Sequence, residues 1–416
     1  MIDLVKNLAA VNRRTKASVI RELLKLTNKP EIISFAGGLP DPKTFPAEIF
    51  SDIASDILKT KSSRALQYGP TEGLPEFQEQ IIRMLREEEG IVIKPENVLV
   101  TTASQQALDL VGRAFIDLMD PIIVELPSYI GGLQAFNASG ARMIGVRGDD
   151  NGLLADELEK KLHQLRDEEE HYKFVYVVPD FQNPSGVTLA EERRRKVVRL
   201  AEMYNVLVLE DSPYRAIRFE GKEPHMLFKL GRVGNTVSLF TFSKTLAPSL
   251  RLGFVVAHEA IIRRLSILKQ SMDLCTSPLC QLMASEFLAR GLYKPHVETL
   301  RRLYKVKKDA MLSALQRYMP EDEGITWTKP EGGLFLWVRL PEHMNADELF
   351  YEAVKENVAY VIGSAFHCDG TGHNTMRLNF SYPTVERIDE GIKRLAKVVK
   401  ANLHRVKARP AAQAVR

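Results

Sequence analysis

The sequence predicts an α/β protein in which a large domain with a mostly parallel seven-stranded sheet is joined to a smaller α+β domain. Short runs rich in β-branched residues alternate with helical patterns through the middle of the chain, which is the rhythm of an α/β sheet. Most of these runs are apolar on both faces, as expected for strands that helices cover on both sides. After Ala257 long helical stretches come first, and then shorter strands and helices alternate.

Each element follows from its apolar pattern. The seven strands of the large sheet are expected at residues 98–101, 122–126, 143–146, 174–178, 206–209, 237–240 and 252–256. The helices between them are expected at residues 105–118, 156–166 and 191–204. Two long helical stretches follow at residues 259–290 and 295–318. The remaining chain predicts strands at residues 334–340, 358–362 and 376–380 and helices from residues 346 and 384.

The length of 416 residues suggests two or three domains, or one large core with a smaller one attached, at ~150 residues per domain. Linkers are not obvious from composition, and the best boundary lies near residues 290–295. We predict a large domain over residues 46–290 and a small domain formed by residues 1–45 and 291–416.

The net charge of +4 conceals an uneven distribution. From Lys393 onward there are eight basic residues and no acidic ones, so the rest of the chain has 49 basic against 53 acidic residues, a net −4. This C-terminal stretch has no aromatic residue, which favours a solvated helix end over a nucleic-acid surface. No nucleic-acid partner is therefore expected.

The three cysteines and the N-terminus indicate the compartment. Three cysteines cannot build a disulfide framework, and Cys275 and Cys280 do not have the spacing of a zinc site, so no metal is expected. The first twenty residues show no secretory signal, and no stretch approaches the ~20 apolar residues of a membrane-spanning helix. A cytoplasmic protein without a membrane partner is expected.

Four polar clusters follow predicted strands of the large sheet, where ligands bind in open α/β sheets. They are residues 101–106 (TTASQQ), 180–186 (DFQNPSG), 210–214 (EDSPY) and 243–245 (SKT). One such cluster would mean little, but four at successive strand ends predict a single site.

Lys244 and Asp211 are the strongest candidates for residues with a chemical role, and each also has a purely structural explanation. Lys244 could be an ordinary loop lysine, whereas in a pocket its lowered amine pKa would make it a nucleophile toward a carbonyl. Asp211 could cap a turn, whereas a buried carboxylate needs a cationic partner such as a protonated pyridine nitrogen. Tyr214 could be a packing aromatic or a phenol that hydrogen-bonds a ring oxygen.

The residues of the other clusters likewise allow both a structural and a functional explanation. Asn183 precedes a proline and could mark a plain turn. Ser104 and Gln105 could form an ordinary helix start, but the same geometry binds phosphate through free N–H groups and the helix dipole. Arg251 could close on that phosphate or form a surface ion pair.

With these residues together, the chain resembles the pyridoxal-phosphate enzymes of fold type I. Within them it is similar to the class I/II aminotransferases, in particular the kynurenine/2-aminoadipate aminotransferase-like subgroup. The resemblance runs from about Arg21 to Val385. It rests on SFAGGLPDPKTFP, LQYGPTEGLPEFQ, TTASQQALDL, NPSGVTL, LEDSPYRAIRFEG, FSKTLAPSLRLG, PEGGLFLWVRLP and MRLNFSY in this order and spacing.

The resemblance implies pyridoxal 5'-phosphate as cofactor and assigns roles around it. Lys244 matches the lysine that holds the cofactor as a Schiff base and moves the substrate proton. Asp211 matches the partner of the pyridine nitrogen. Asn183 and Tyr214 match the pair on the ring 3-oxygen, with Asn183 also reaching substrate, and Tyr129 matches the aromatic stacked on the ring. The phosphate contacts match Ser104, Gln105, Ser243 and Arg251.

The substrate side is implied in the same way. Arg377 matches the arginine that clamps the α-carboxylate, and Gly38 and Tyr68 line the substrate pocket. Tyr68 reaches the cofactor site of a neighbouring subunit in the family, which implies a homodimer. Arg21, on an amphipathic N-terminal helix, is expected to meet a distal carboxylate, although a solvated arginine paired with Glu22 is the plainer alternative.

The implied reaction is ping-pong transfer of an amino group from an L-amino acid to a 2-oxo acid such as 2-oxoglutarate. Suitable donors would be 2-aminoadipate, glutamate, and aromatic or branched-chain amino acids. Two alternatives stay open: another fold type I reaction, such as a β-lyase or decarboxylase, and a non-catalytic effector-binding domain of a transcription regulator. About twenty residues precede the first matching segment, too few for a DNA-binding domain.

Two stretches depart from the family pattern. DLMDPIIVELPSY lacks the usual Pro-Gly-Asp turn, which puts in doubt the loop before Tyr129. Ala103 stands where the family usually has glycine, and its Cβ is expected to be tolerated because Ser104 and Gln105 supply the phosphate N–H groups.

Overall fold

The computed structural model describes residues 6–15, 29–231, 234–320 and 323–403. Across these ranges the strands are β1 Ile33–Ser34, β2 Val98–Thr101, β3 Pro121–Leu126, β4 Arg142–Asp149, β5 Gly152–Leu153, β6 Phe174–Val177, β7 Leu207–Asp211, β8 Thr236–Thr241, β9 Gly253–Val256, β10 Thr326–Trp327, β11 Phe335–Arg339, β12 Val358–Ala359, β13 Val361–Ile362 and β14 Thr375–Asn379. All seven strands predicted for the large sheet form.

The helices lie between and after these strands. They are α1 Val11–Arg14, α2 Ala47–Thr60, α3 Ser62–Ala65, α4 Pro75–Glu89, α5 Ala103–Phe115, α6 Ile130–Ser139, α7 Ala155–Asp167, α8 Glu191–Met203, α9 Leu227–Leu230, α10 Glu259–Gln270, α11 Pro278–Ala289, α12 Tyr293–Tyr318, α13 Ala346–Lys355 and α14 Val385–Leu403. Short 3-10 helices are Pro42–Thr44, Pro95–Asn97, Pro248–Leu250 and Gly363–Phe366. No helix in the described ranges is both long and apolar enough to cross a membrane.

The large sheet has the order β2-β9-β8-β7-β6-β3-β4-β5. Its centre, from β8 to β4, is parallel, as the sequence predicts, and both edges are antiparallel. The sheet has one strand more than predicted, because the two-residue β5 pairs with the end of β4. Strand β9 is antiparallel because residues 242–252 return the chain directly, without the helical crossover that a parallel neighbour requires.

A second, antiparallel sheet with the order β10-β11-β14-β13 follows in the chain, and α12 packs against α14. Strand β1 pairs in parallel with β12, which ties the N-terminal arm to the C-terminal part of the chain. This pairing supports the division into residues 46–290 and residues 1–45 with 291–416, which we keep as a proposal. The largest apolar core is nevertheless continuous, because it includes Leu209 of the large sheet and Leu336 of the second sheet.

Two local predictions are wrong in detail. The helical stretch predicted at residues 259–290 is two helices, because Ser277 caps α11 and Pro278 occupies its first turn. A proline inside a helix would remove a hydrogen bond and clash with the preceding turn. The strand predicted at residues 358–362 is divided between two sheets, since β12 pairs with β1 and β13 pairs with β14.

A buried ionic cluster holds the segment that follows β6. Asp180 accepts hydrogen bonds from Arg194 Nη2 at 2.7 Å and from Arg215 Nη1 at 3.2 Å, and Arg218 lies 3.8 Å away. Burial alone would raise the pKa of Asp180, but the surrounding arginines lower it to about 2. The carboxylate therefore stays charged at neutral pH and anchors the chain three residues before Asn183.

Removing this charge should destabilise the protein strongly. Asp180→Asn leaves buried guanidinium groups without their shared anion, and the free energy of unfolding should fall by about 3–5 kcal/mol. The contribution is complete above the unfolded pKa of about 4 and is lost as the pH falls toward 2. Urea unfolding at pH 7 tests this, with Asp156→Asn as the control, because Asp156 is exposed and pairs with Lys196 at the surface. Equal stability of the two variants would contradict it.

Candidate active site

A cavity of about 410 Å³ lies beside the carboxyl ends of β6, β7 and β8. The sequence places a polar cluster after each of these strands, and the topology brings the clusters to one edge of the sheet. The predicted residues that line the cavity are Gly38, Ser104, Gln105, Tyr129, Asn183, Asp211, Tyr214, Ser243, Lys244, Arg251 and Arg377. Segments far apart in sequence therefore meet in one chamber.

Lys244 lies three residues after β8, and its amine faces the cavity. Its Nζ donates a hydrogen bond to the carbonyl oxygen of Gly38 at 2.8 Å. Burial, reinforced by the positive charges of Arg377 and Arg251, lowers the pKa of the Lys244 ammonium to about 8. A substantial fraction of the amine is consequently neutral near physiological pH, as a nucleophile toward a carbonyl must be.

Asp211, the last residue of β7, is buried at the floor of the cavity. Tyr176 on the neighbouring strand β6 donates a hydrogen bond to its Oδ2 at 2.9 Å. Burial raises the pKa of Asp211 to about 7, although this hydrogen bond lowers it. The other oxygen, Oδ1, is buried with no hydrogen-bond partner among the described residues.

Arg377 on β14 is buried and lines the same cavity. Its Nη1 donates to Asn183 Oδ1 at 2.8 Å and its Nη2 to the carbonyl oxygen of Ala36 at 2.7 Å, while Nε lacks a partner within the described chain. The guanidinium also lies 4.3 Å from the ring centroid of Phe335. Burial lowers the pKa of Arg377 to about 10, so it remains charged at neutral pH.

Asn183 connects this arginine to Tyr214. The Asn183 side chain accepts from Arg377 and donates its Nδ2 to the Tyr214 hydroxyl at 3.4 Å. Burial raises the pKa of Tyr214 above its usual range, so the phenol is a hydrogen-bond donor at neutral pH. The pair thus presents two polar groups side by side.

The start of α5 lines the cavity. Ser104 and Gln105 lie in the first turn of this helix, where backbone N–H groups have no partner in the helix itself. Ala103 has a φ of 60°, in the left-handed region that favours glycine, so the departure noted in the sequence falls on a strained residue. Ser243 and Arg251 line the same cavity and offer further donors for an anion.

The residues present fit pyridoxal phosphate. The unpaired Oδ1 of Asp211 can accept a hydrogen bond from a protonated ring nitrogen, and burying it without such a partner is costly. The start of α5 with Ser243 and Arg251 suits the phosphate. The unpaired Nε of Arg377 can donate to a carboxylate oxygen.

Two predicted residues are not brought into this site. Tyr68 is 77% exposed and does not line the cavity of its own chain. Arg21 lies outside the described residues, so its predicted contact with a distal carboxylate stays a prediction from sequence.

Sequence reasoning missed Tyr176, which fixes Asp211, and Phe335, which packs on Arg377. Phe335 lies in the quoted motif PEGGLFLWVRLP, so position in a motif could have found it. Tyr176 is an aromatic inside an apolar strand, and such residues are usually core residues. Its hydroxyl is close to Gly132, where a Cβ would lie 2.9 Å from the oxygen, so the absence of a side chain there opens its path to Asp211.

Tyr176 should position Asp211 and hold it ionised. Tyr176→Phe removes one hydrogen bond to the carboxylate, worth about 1.5–3 kcal/mol, so the pKa of Asp211 should rise and kcat should fall about 10–100-fold. The pH dependence of the cofactor absorbance reports this shift independently of turnover. Tyr172→Phe is the control, because Tyr172 bonds only the backbone oxygen of Tyr204. An unchanged absorbance profile in Tyr176→Phe would contradict the role.

The chain belongs to the aminotransferase class I and II family, whose family model matches residues 37–395. It is therefore a pyridoxal-phosphate-dependent aminotransferase, as the resemblance in the sequence implies. The prediction of amino-group transfer is confirmed, and the lyase, decarboxylase and effector-domain alternatives are not favoured.

Individual relatives cover nearly the whole chain. It is 43% identical over 388 residues to aromatic-amino-acid aminotransferase 1 of Thermococcus litoralis, covering 93% of each protein. The crystal structure of the Pyrococcus horikoshii kynurenine aminotransferase, in complex with PMP, superposes with a TM-score of 0.93 at 43% identity, covering 96% of this chain and 98% of that one. The crystal structure of the Thermus thermophilus α-aminoadipate aminotransferase LysN, complexed with N-(5'-phosphopyridoxyl)-L-leucine, superposes with a TM-score of 0.89 at 38% identity. The match covers 97% of this chain and 99% of that one.

Proposed function

We propose that this aminotransferase moves an amino group from 2-aminoadipate, glutamate, or an aromatic or branched-chain L-amino acid to a 2-oxo acid such as 2-oxoglutarate, in a ping-pong cycle. The observation that carries the proposal is the position of Lys244 and Arg377 in one cavity. A charged arginine with a free Nε and a partly neutral amine converge there. An α-amino acid presents the matching pair, a carboxylate and an α-carbon that must lose a proton.

Arg377 binds and orients the substrate carboxylate. Its contacts to Asn183 and Ala36 hold the guanidinium plane before substrate arrives, so little rotamer freedom is lost on binding. Nε remains as a donor toward the cavity, and Nη1 can be shared with the carboxylate beside Asn183.

Lys244 would hold the cofactor through its amine, and the free amine would take and return the proton of the substrate α-carbon. The carbonyl oxygen of Gly38 accepts a hydrogen bond from the amine and orients it in the cavity. Its pKa of about 8 suits a base that works near neutral pH.

Pyridoxal phosphate, when bound, withdraws electrons from the α-carbon through its protonated ring and stores the amino group between the half-reactions. Asp211 keeps the ring nitrogen protonated, and Tyr176 keeps Asp211 in place. With the cofactor bound, Asn183 and Tyr214 would donate to the ring 3-oxygen, and Tyr129 would cover the ring face. The start of α5, together with Ser243 and Arg251, holds the phosphate.

The breadth of donors is supported by the cavity wall and by the relatives. Leu39, Ile130 and Phe335 are apolar wall residues, whereas Gln134 offers a polar contact, so both kinds of side chain have partners. The relatives described above are aminotransferases for aromatic amino acids, kynurenine and α-aminoadipate.

A cytoplasmic homodimer with shared active sites is the assembly that we propose. The exposed side chains of Leu66 and Tyr68 lie on a loop joined to the segment of Leu274, because Gly69 N donates to Cys275 Sγ at 3.4 Å. This apolar surface would be covered by a second copy, whose site Tyr68 would then enter. The cytoplasmic location rests on the three free cysteines.

Substitution of Arg377 tests the clamp and the substrate class together. Arg377→Lys keeps the charge but loses the planar fork, so KM should rise about 10–100-fold for amino and oxo acids alike, because both half-reactions use the same carboxylate contact. The assay is a panel of amino donors with 2-oxoglutarate, read as glutamate formed. Arg339→Lys, on an exposed position of β11, is the control. A rise for only one of the two substrates would show that Arg377 binds a side chain instead.

A further inference from the structure

A second cavity, of about 570 Å³, adjoins the active site. The two cavities share Pro213 and Thr241 in their walls. Ser212 and Thr245, which line the second cavity, directly follow Asp211 and Lys244 in the chain. The residues of the two cavities therefore alternate along the same two loops, and the aminotransferase reaction described above uses only the first cavity.

The inner wall of the second cavity is largely aromatic. The rings of Phe240 and Phe254 stack with centroids 4.6 Å apart, and Phe242 meets Tyr293 edge to face at 6.1 Å. Aromatic walls of this kind accept flat apolar groups and attract cations to their ring faces.

Two polar atoms in this wall, Ser212 Oγ and Thr245 Oγ1, have no hydrogen-bond partner among the described residues. The side chain of Ser212 is only 4% exposed, and its Oγ makes no hydrogen bond to any described residue. A buried hydroxyl without a partner is unfavourable by about 1–3 kcal/mol, and a polar group entering the cavity would supply the missing bond.

The charged side chains at the rim of the cavity determine whether a cation or an anion would bind there. Arg215 donates to Glu89 at 2.6 Å, Lys294 to Glu87 at 3.2 Å, and Arg301 lies 3.7 Å from Glu298. The basic side chains of the described rim are thus already neutralised by carboxylates.

Two carboxylates at the rim, those of Glu88 and Glu223, have fewer positively charged partners than the others. The side chain of Glu88 makes no hydrogen bond or ion pair with any described residue, and only the more distant charges of Lys294 and Arg301 act on it. Glu223 has one ion pair, with Arg215 at 3.4 Å, an arginine that Glu89 and Asp180 already share. Each side chain is exposed, but its partial loss of solvent at the rim of the cavity raises the pKa of both Glu88 and Glu223. A positive charge between them would offset the cost of holding them ionised.

We propose that this cavity is a binding site for a small organic monocation with an aromatic body, whose ammonium group lies at Glu88 and Glu223 and whose ring lies among Phe240, Phe254 and Tyr293. The volume is within the range of small-molecule pockets. The site is separate from the catalytic cavity, where Arg377, Arg251 and Lys244 repel a cation. It does not depend on which amino acids the enzyme uses.

Calorimetric titration of the holoenzyme with N,N-dimethyl-2-phenylethylammonium tests the site. This tertiary ammonium ion cannot condense with the cofactor, so covalent capture in the active site is excluded. We expect one equivalent bound per chain, with an affinity that falls as salt is added. Glu88→Gln and Glu223→Gln should each weaken binding about tenfold. Glu79→Gln, an exposed position on the same helix α4, should leave it unchanged.

Three results would overturn the proposal. They are no binding to the wild-type holoenzyme, equal affinity in Glu88→Gln and Glu79→Gln, and equal or tighter binding of the anion 3-phenylpropanoate. Both glutamates are exposed at the rim, so their substitution should leave the fold intact, and thermal unfolding of each variant verifies this.

Discussion

Lys244→Ala is expected to abolish transamination while leaving the cofactor bound without a covalent link. Loss of the general base alone accounts for about 10²–10⁴-fold, and loss of the nucleophile adds to this. Borohydride reduction followed by peptide mass analysis should find the cofactor on Lys244 of the wild type and on no residue of the variant. Lys222→Ala, at an exposed position, serves as the control. Label on another lysine of the wild type would contradict the assignment.

The pH dependence of cofactor capture gives the same residue a second test. Attachment requires the neutral amine, so the rate at which the apoenzyme captures added pyridoxal phosphate should rise with pH through a midpoint of about 8. An exposed lysine would show its midpoint near 10.4. A midpoint at that higher value would mean that the amine is not desolvated as the structure shows.

Asp211→Asn is expected to reduce transamination by about 10²–10³-fold, the scale of a lost electrostatic contact in an active site. Asparagine keeps the shape but cannot hold a proton on the ring nitrogen. Asp211→Glu retains the charge and should recover part of the activity. Activity of Asp211→Asn within a few-fold of the wild type would show that this residue is not the ring partner.

The stability of Asp211→Asn distinguishes a loss of catalysis from a loss of folding. The pKa of Asp211 in the fold, about 7, lies above its unfolded value near 3.9, so ionisation of the buried carboxyl opposes folding. That penalty grows as the pH rises above about 4 and is complete above 7. Apo Asp211→Asn should therefore be at least as stable as the apo wild type at pH 8. A marked loss of stability would assign Asp211 a structural role.

The candidate site was largely predictable because its signals are local. Lys244, Asp211 and Asn183 each stand a few residues after an apolar run, and the open α/β arrangement brings such strand ends to one edge. Tyr176 could not be found this way. Its hydroxyl reaches Asp211 only because β6 and β7 are neighbours and Gly132 has no side chain.

By itself, the sequence determined the α/β class, the seven strands of the large sheet and the residue types of the site, because apolar periodicity and strand-end polarity are properties of short segments. Features that require distant segments of the chain to come together were decided by the tertiary structure alone. The ionic cluster around Asp180 is one example, because Arg194 lies on α8 whereas Arg215 and Arg218 lie in the segment after β7. The lowered pKa of Lys244 is a second example, since it is caused by burial in the cavity and by the positive charge of Arg377 on β14, together with that of the nearby Arg251.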